Sequence, residues 1–274
     1  MRLLPHSAAF AALFGLGLAG LPAAAGPIPD VEMTIVDGGL FDPGSGTWLA
    51  GVRMRLDDGW KTYWRSPGEL GIPPSFDFSD SRNVADVEVR WPAPSVTHDG
   101  FGWVVGYEDE VILPLVVTPR DSALPVSLSL ELDYAICRDI CVPMDGRAER
   151  ALDEGGPDRP AIEHHLARVP ADDSRIARLE RVRTDDGAAV EFAVALSGTE
   201  AGDAGDPPRL LVEFETAGTE RHLAVLEMAE RDGADMATYR LPADRLPARE
   251  QAGTSITVTG LTRPTPFEQR LRLP

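Results

Sequence analysis

The sequence holds only two cysteines, Cys137 and Cys141, in the segment Tyr134-Ala-Ile-Cys-Arg-Asp-Ile-Cys-Val-Pro143. Three chemistries suit two thiols at this spacing. They can cycle between dithiol and disulfide, they can bind a soft metal such as Cu(I) as thiolates, or they can form an inert staple. As a staple the pair is weak. The chain-entropy model assigns about 2 kcal/mol to a loop of about five residues, against about 4.7 kcal/mol for about a hundred. A chain of 274 residues has enough core not to depend on it. A small loop near a strand end is also easily strained, and strained disulfides are the more reducible ones. Redox exchange is therefore the leading reading. Arg138 favours a thiolate and Asp139 opposes one, so the neighbours set no clear electrostatic direction. Pro143 lacks an N–H and is expected to end strand pairing just after Cys141. That would leave Cys141 the more reachable sulfur, with Cys137 covered by the strand through Tyr134.

Other polar groups add little. A Cu(I) site would need a third ligand, for which His98 and Met144 are the candidates. Glu163-His164-His165 falls in a short helical stretch, where adjacent histidines point in different directions and make poor joint ligands. A surface helix is the simpler reading. No Ser/His/Asp pattern, phosphate-binding glycine loop or paired-carboxylate motif stands out, so no cofactor and no metal are implied.

The elements that must position the cysteines read as strands. Val31–Val36, Trp48–Leu56, Val84–Trp91 and Val126–Tyr134 alternate apolar and polar residues, Trp60–Trp64 is short and aromatic, and Val111–Val117 is nearly all apolar. Pro114 inside that last run predicts a bulge or an edge strand. Short period-two runs at this spacing indicate a β-sandwich or barrel. Ser66–Ser81, with Gly68, Gly71, Pro73 and Pro74, reads as a long irregular loop of the kind that is often functional. After Gly155-Gly156-Pro157, Asp158 and Pro160 look like the cap and first turn of a short helix ending before Pro170. A second alternating set follows, from Ala188–Leu196 to Phe267–Leu273, without cysteine. The expected organisation is all-β: residues 27–150 a redox sandwich, 151–172 a linker with one short helix, and 173–274 a second β-sandwich-like domain.

Net charge is −18, which lacks the basic footprint that phosphate backbones and anionic membranes attract. Nucleic-acid binding is set aside. Arg2, the apolar run Ala8–Leu21 and Ala23-Ala24-Ala25 read as a signal peptide over residues 1–25, with the mature protein starting near Gly26 outside the cytoplasm. No later segment has the 18 or so consecutive apolar residues of a membrane span, so no stable membrane insertion is expected.

Four segments together resemble the N-terminal periplasmic domain of the DsbD thiol:disulfide interchange reductases. They are Gly59-Trp-Lys-Thr-Tyr-Trp-Arg65, Ser66-Pro-Gly-Glu-Leu-Gly-Ile-Pro-Pro74, Trp91-Pro-Ala-Pro94 and Tyr134…Cys137-Arg-Asp-Ile-Cys141-Val-Pro143. The likeness covers about residues 30–150 and is nearest to relatives with three residues between the cysteines. It implies an immunoglobulin-like sandwich that relays electrons from a membrane-embedded reductase to thioredoxin-like periplasmic proteins, in processes that include cytochrome c biogenesis. It also implies that Cys141 forms the mixed disulfide, that Cys137 resolves it, and that a cap loop at His98–Trp103 shields the pair through Phe101 or Trp103. Tyr63, Tyr134, Asp139 and Pro143 would flank the cysteines. The best-known members space the cysteines by five residues and continue into membrane and thioredoxin-like domains that this sequence does not contain. Either a separate membrane protein then serves it, or it has drifted to another role. Copper handling through the same cysteines, and a non-enzymatic adaptor docking through the acidic second domain, are the competing readings.

Overall fold

The computed structural model describes residues 31–68, 71–98, 100, 102–184, 187–195, 209–215, 222–232, 236–246, 254–261 and 265–274. The expected signal peptide, the Gly26 start and Phe101 lie outside them.

Ten strands make the first pair of sheets: β1 (Val31–Asp42), β2 (Thr47–Leu56), β3 (Lys61–Gly68), β4 (Ser75–Asp77), β5 (Val84–Val89), β6 (Ser95–His98), β7 (Trp103–Glu108), β8 (Glu110–Pro119), β9 (Ser127–Cys137) and β10 (Cys141–Ala151). One sheet has the order β1-β2-β8-β5. The other runs β10-β9-β3-β7-β6, with β4 also paired to β9. This is the expected immunoglobulin-like sandwich. Its core lies between the sheets, around Val52, Trp64, Leu113, Leu115, Leu130 and Ile136. Strand alternation decides which residues enter that core: in β9 Leu128, Leu130, Leu132, Tyr134 and Ile136 are buried, while the odd-numbered positions face outward.

The sequence pattern misled at two places, Pro114 and the Ser66–Ser81 loop. The apolar run in β8 reflects burial on both faces. Its second face is covered by α1 (Arg159–Leu166), whose Ile162 packs on Val36, Leu49 and Ile112. Pro114 is neither bulged nor at an edge. It sits in the central strand β8, in unbroken register with β2 opposite Gly51. Its carbonyl accepts the Arg90 N–H at 2.8 Å, just where β5 has ended, and its own nitrogen faces the same way, so no ladder hydrogen bond of β2 is lost. The loop expected over Ser66–Ser81 is shorter, because β3 runs on to Gly68 and β4 begins at Ser75.

The helix that follows β10 begins where Asp158 and Pro160 placed it. The chain before it is pinned to β1. Buried Asp37 accepts the N–H groups of Gly39 at 2.9 Å and Asp153 at 2.7 Å, and Asp158 accepts the Asp37 N–H at 3.1 Å. Gly39 and Gly156 both have positive φ, and a Cβ on either would strike the other segment's backbone. His165 departs from the surface reading. It is buried against the sheet, where Nδ1 accepts the Ile112 N–H at 3.4 Å.

The remaining strands are β11 (Ala171–Asp172), β12 (Ile176–Thr184), β13 (Gly187–Ala195), β14 (Leu210–Phe214), β15 (His222–Leu226), β16 (Met228–Asp232), β17 (Met236–Pro242), β18 (Ser255–Gly260) and β19 (Phe267–Arg272). They form sheets β11-β19-β18-β14-β15 and β12-β13-β17-β16. A separate core around Phe192, Tyr239, Ile256 and Phe267 lies between them. The second sandwich expected from the sequence is present.

The two sandwiches meet along β3. Leu211 and Val225 join the first core. Beside them Arg65 hydrogen-bonds both carboxylate oxygens of buried Glu213, the closer at 2.6 Å, and also reaches Glu268. Ser66 donates to Glu213 as well. Burial opposes the Arg65 charge, but the hydrogen bonds and fields of Glu213 and Glu268 outweigh it and hold the guanidinium above its ordinary pKa.

Two outcomes are expected. Arg65→Ala leaves Glu213 buried without its cation and should cost about 3 kcal/mol in urea unfolding of the whole chain. For His165, burial first, then Arg168 and His164, hold the pKa below its ordinary value. The unfolded chain thus takes up the proton more readily, and stability falls as pH drops below about 6.5. Melting temperatures across that range check this, and His165→Gln should flatten the slope.

Candidate functional site

The cysteines sit at the tip of the β9–β10 hairpin. Register pairs Cys137 with Cys141, Ala135 with Pro143 and Asp133 with Asp145. The two cysteines are joined by a disulfide across a Cα–Cα distance of 4.1 Å. Cys141 is exposed and Cys137 half-buried. That order of access was expected, but the cause differs. Pro143 does not end the pairing: β10 continues to Ala151, and Pro143 lies within it opposite Ala135. Cys141 is reachable because β10 is the outermost strand of its sheet, which is also where a proline is tolerated.

The outer face of this sheet supplies the neighbours. Lys61 stands opposite Cys137 in β3 and is paired with Glu108 at 3.1 Å. Two residues on, Tyr63 points to the same face, packs with Val104, Ala135 and Cys137, and is almost wholly buried. Its hydroxyl lies 3.1 Å from Cys141 Sγ. The chain after β3 folds back over the tyrosine ring. A Cβ on Gly71 would come within 2.8 Å of that ring and 2.2 Å of Pro67, so only glycine permits the cover. At the turn, the Arg138 guanidinium lies 5.0 Å from the Trp60 ring centre and 3.3 Å from Asp139. Ile140 is 67% exposed between the two cysteines.

The other predicted positions are placed differently. Tyr134 points inward and packs in the core. Burial, then Asp145, raises its hydroxyl pKa. Trp103 packs at the edge of the core, with His98 edge-on at 5.0 Å and Arg209 of the second sandwich at 5.4 Å. Phe101 lies outside the described residues. Of the possible third ligands for copper, Met144 is on the opposite face of β10 from Cys141, by strand alternation. His98 accepts the Gly100 N–H through Nδ1 at 3.1 Å. Among the described residues no group of three or more His, Cys, Asp or Glu is placed to hold a metal.

Sequence reasoning missed Ile140, Ile72 and the Asp133/Asp145 pair. A signal was available. Asp133, Cys137, Cys141 and Asp145 are spaced by four, so a hairpin turning at Asp139 brings all four onto one face.

In its disulfide form the site offers one exposed sulfur, one half-buried sulfur and a hydroxyl beside the exposed one. Once reduced, a Tyr63 hydroxyl donating to Cys141 would stabilise its thiolate. Tyr63→Phe should therefore lower the alkylation rate of reduced Cys141 by iodoacetamide about tenfold at neutral pH, without changing the unfolding midpoint.

Residues 41–153 match the family model described as thiol:disulfide interchange protein DsbD, N-terminal. The resemblance read from the four motifs holds over that segment. Among solved structures, the N-terminal periplasmic domain of ScsB from Proteus mirabilis is similar at a TM-score of 0.61 and 19% identity, covering 89% of this chain and 91% of that one. That likeness shows the fold of both sandwiches. The C-terminal domain of the antigen I/II-family protein AspA from Streptococcus pyogenes aligns over 90% of this chain and 99% of its own, with 8% identity and a TM-score of 0.18, too low to inform the fold. No curated protein matches.

Proposed function

We propose that this chain is a periplasmic thiol:disulfide interchange component that passes electrons from a separate membrane-embedded reductase to thioredoxin-like proteins through Cys137 and Cys141. The observation that carries this reading is the pairing of an exposed Cys141 with a half-buried Cys137 at a hairpin tip, on a segment that matches the DsbD N-terminal family. In this reading residues 27–150 are the redox domain, 151–172 connect, and 173–274 support it. No helix among the described residues is long and apolar enough to cross a membrane.

The exchange balances as follows. In the dithiol form, the Cys141 thiolate attacks a disulfide sulfur of the partner in line. A Cys141–partner disulfide forms and the partner's other sulfur leaves as thiolate. The Cys137 thiolate then attacks Cys141 Sγ, closing the intramolecular disulfide and releasing the partner's remaining thiolate. Two electrons have moved to the partner, and the membrane reductase restores the dithiol by the reverse sequence. The roles follow access, because a resolving thiol need only reach its neighbour whereas the attacking thiol must reach another protein.

Cys137→Ala should accumulate a covalent complex with a thioredoxin-like protein, visible on non-reducing gels and dissolved by reductant. Cys141→Ala should accumulate at least about tenfold less. Failure of both variants to form a complex, with tight Cu(I) binding by the wild type, would replace exchange with metal handling.

A further inference from the structure

Along the β9–β10 hairpin lies a shallow groove of about 280 Å³, lined by Ile72 and Pro73 from the loop after β3, by Pro143 and Met144 of β10, and by the carboxylates Asp133 and Asp145. Neither cysteine lines it, but Pro143 and Asp145 share a face of β10 with Cys141: three successive same-face rungs lead from Cys137/Cys141 through Ala135/Pro143 to Asp133/Asp145. Two of the four large exposed apolar side chains of the described residues flank this track: Ile140, and Ile72 at 42% exposed.

The last rung is anomalous as pure structure. Two carboxylates directly opposite on one face of an antiparallel pair repel each other. Among the described residues, no cation is paired with Asp133 or Asp145. The next rung, Arg147 with Glu131 at 2.9 Å, is paired within itself, and Lys61 is committed to Glu108. Asp77, opposite Glu131 on β4, adds a further negative charge. The fold thus holds an unneutralised anionic rung beside an apolar groove, two same-face rungs from the exposed sulfur.

We infer that this groove seats an extended segment of the redox partner carrying a Lys or Arg four residues from its reactive cysteine. The inference rests on the exchange reading and adds its selectivity. The spacing comes from strand geometry. The Asp133/Asp145 rung is four residues from the cysteine rung, about 13 Å at about 3.3 Å per residue. An extended partner segment whose sulfur is bonded to Cys141 therefore brings its own residue four away over the two carboxylates. Its apolar side chains contact Ile72, Pro73 and Pro143, and the cation relieves the repulsion within the rung.

Synthetic extended peptides with one cysteine, activated as its mixed disulfide with 5-thio-2-nitrobenzoate, test this directly. Reduced protein attacks the peptide sulfur and releases the coloured thiolate, whose rate is followed. The peptide with Lys four residues from cysteine should react about fivefold faster than its Glu counterpart at low salt, and the gap should shrink as salt is added. In the Asp133→Asn/Asp145→Asn variant the Lys peptide should lose that advantage, while a neutral peptide and a small aromatic disulfide react at wild-type rates. The same variant should melt at a higher temperature, because the facing charges are gone. Equal rates for the Lys and Glu peptides would overturn the inference. So would a preference that survives in the double variant, or one indifferent to moving the lysine two residues closer, since either marks the general field of an acidic protein. If the reduced wild type reacts with no peptide and not with the small disulfide, the exchange reading falls and the groove's role falls with it.

Discussion

The reactive end of this molecule depends on the register of one hairpin. Because β9 and β10 pair with Cys137 directly opposite Cys141, the two sulfurs meet without bending either strand, and the three residues between them are left to make the turn. A shift of one residue would send one cysteine into the core face and separate the pair. The register is held from the other side of the sheet. Leu128, Leu130, Leu132 and Ile136 are buried in the sandwich core, and a slip would expose all of them.

β3 carries the second constraint, since three jobs fall on consecutive residues. Tyr63 faces outward to Cys141, Trp64 faces inward to the centre of the core, and Arg65 and Ser66 close the interface with the second sandwich. Alternation places Tyr63 and Trp64 on opposite faces. A bulge between Tyr63 and Gly68 then lets the strand turn its next residues toward Glu213. The second sandwich is therefore bonded to the strand that supports the disulfide. Its Arg209 also lies over Trp103, at the foot of the β6–β7 hairpin. The cysteine-free half of the chain is thereby part of the scaffold of the half that carries the disulfide.

Much of this was legible in sequence. Period-two runs marked most strands, Asp158 and Pro160 marked the helix start, and four spaced motifs marked the family likeness over the first sandwich. Prolines were misread. Pro114 was taken to mark a bulge or an edge and Pro143 a stop, but whether a missing N–H matters depends on which way it points and whether a neighbouring strand is there to need it. His165 was misread for a similar reason: a charged-looking helix gives no sign that one of its histidines will lie against a sheet. Tyr134 went the same way. Its distance from Cys137 in sequence is three, an odd number, and odd spacing in a strand means the opposite face.

The sequence by itself determined the chemistry class, the β architecture and the two cysteines, because thiols announce themselves and alternation is local. Tertiary structure decided what surrounds them. Tyr63 lies seventy-eight positions from Cys141 and reaches it only because β3 pairs with β9. Asp133 and Asp145 share a rung only because the hairpin turns at Asp139, and Ile72 walls their groove only because Gly71 lets the chain pack on the Tyr63 ring. Each of these is a cross-strand or loop-on-sheet contact, set by which strands are neighbours and in what register. That information lies in the burial of the whole core and in no short window of residues.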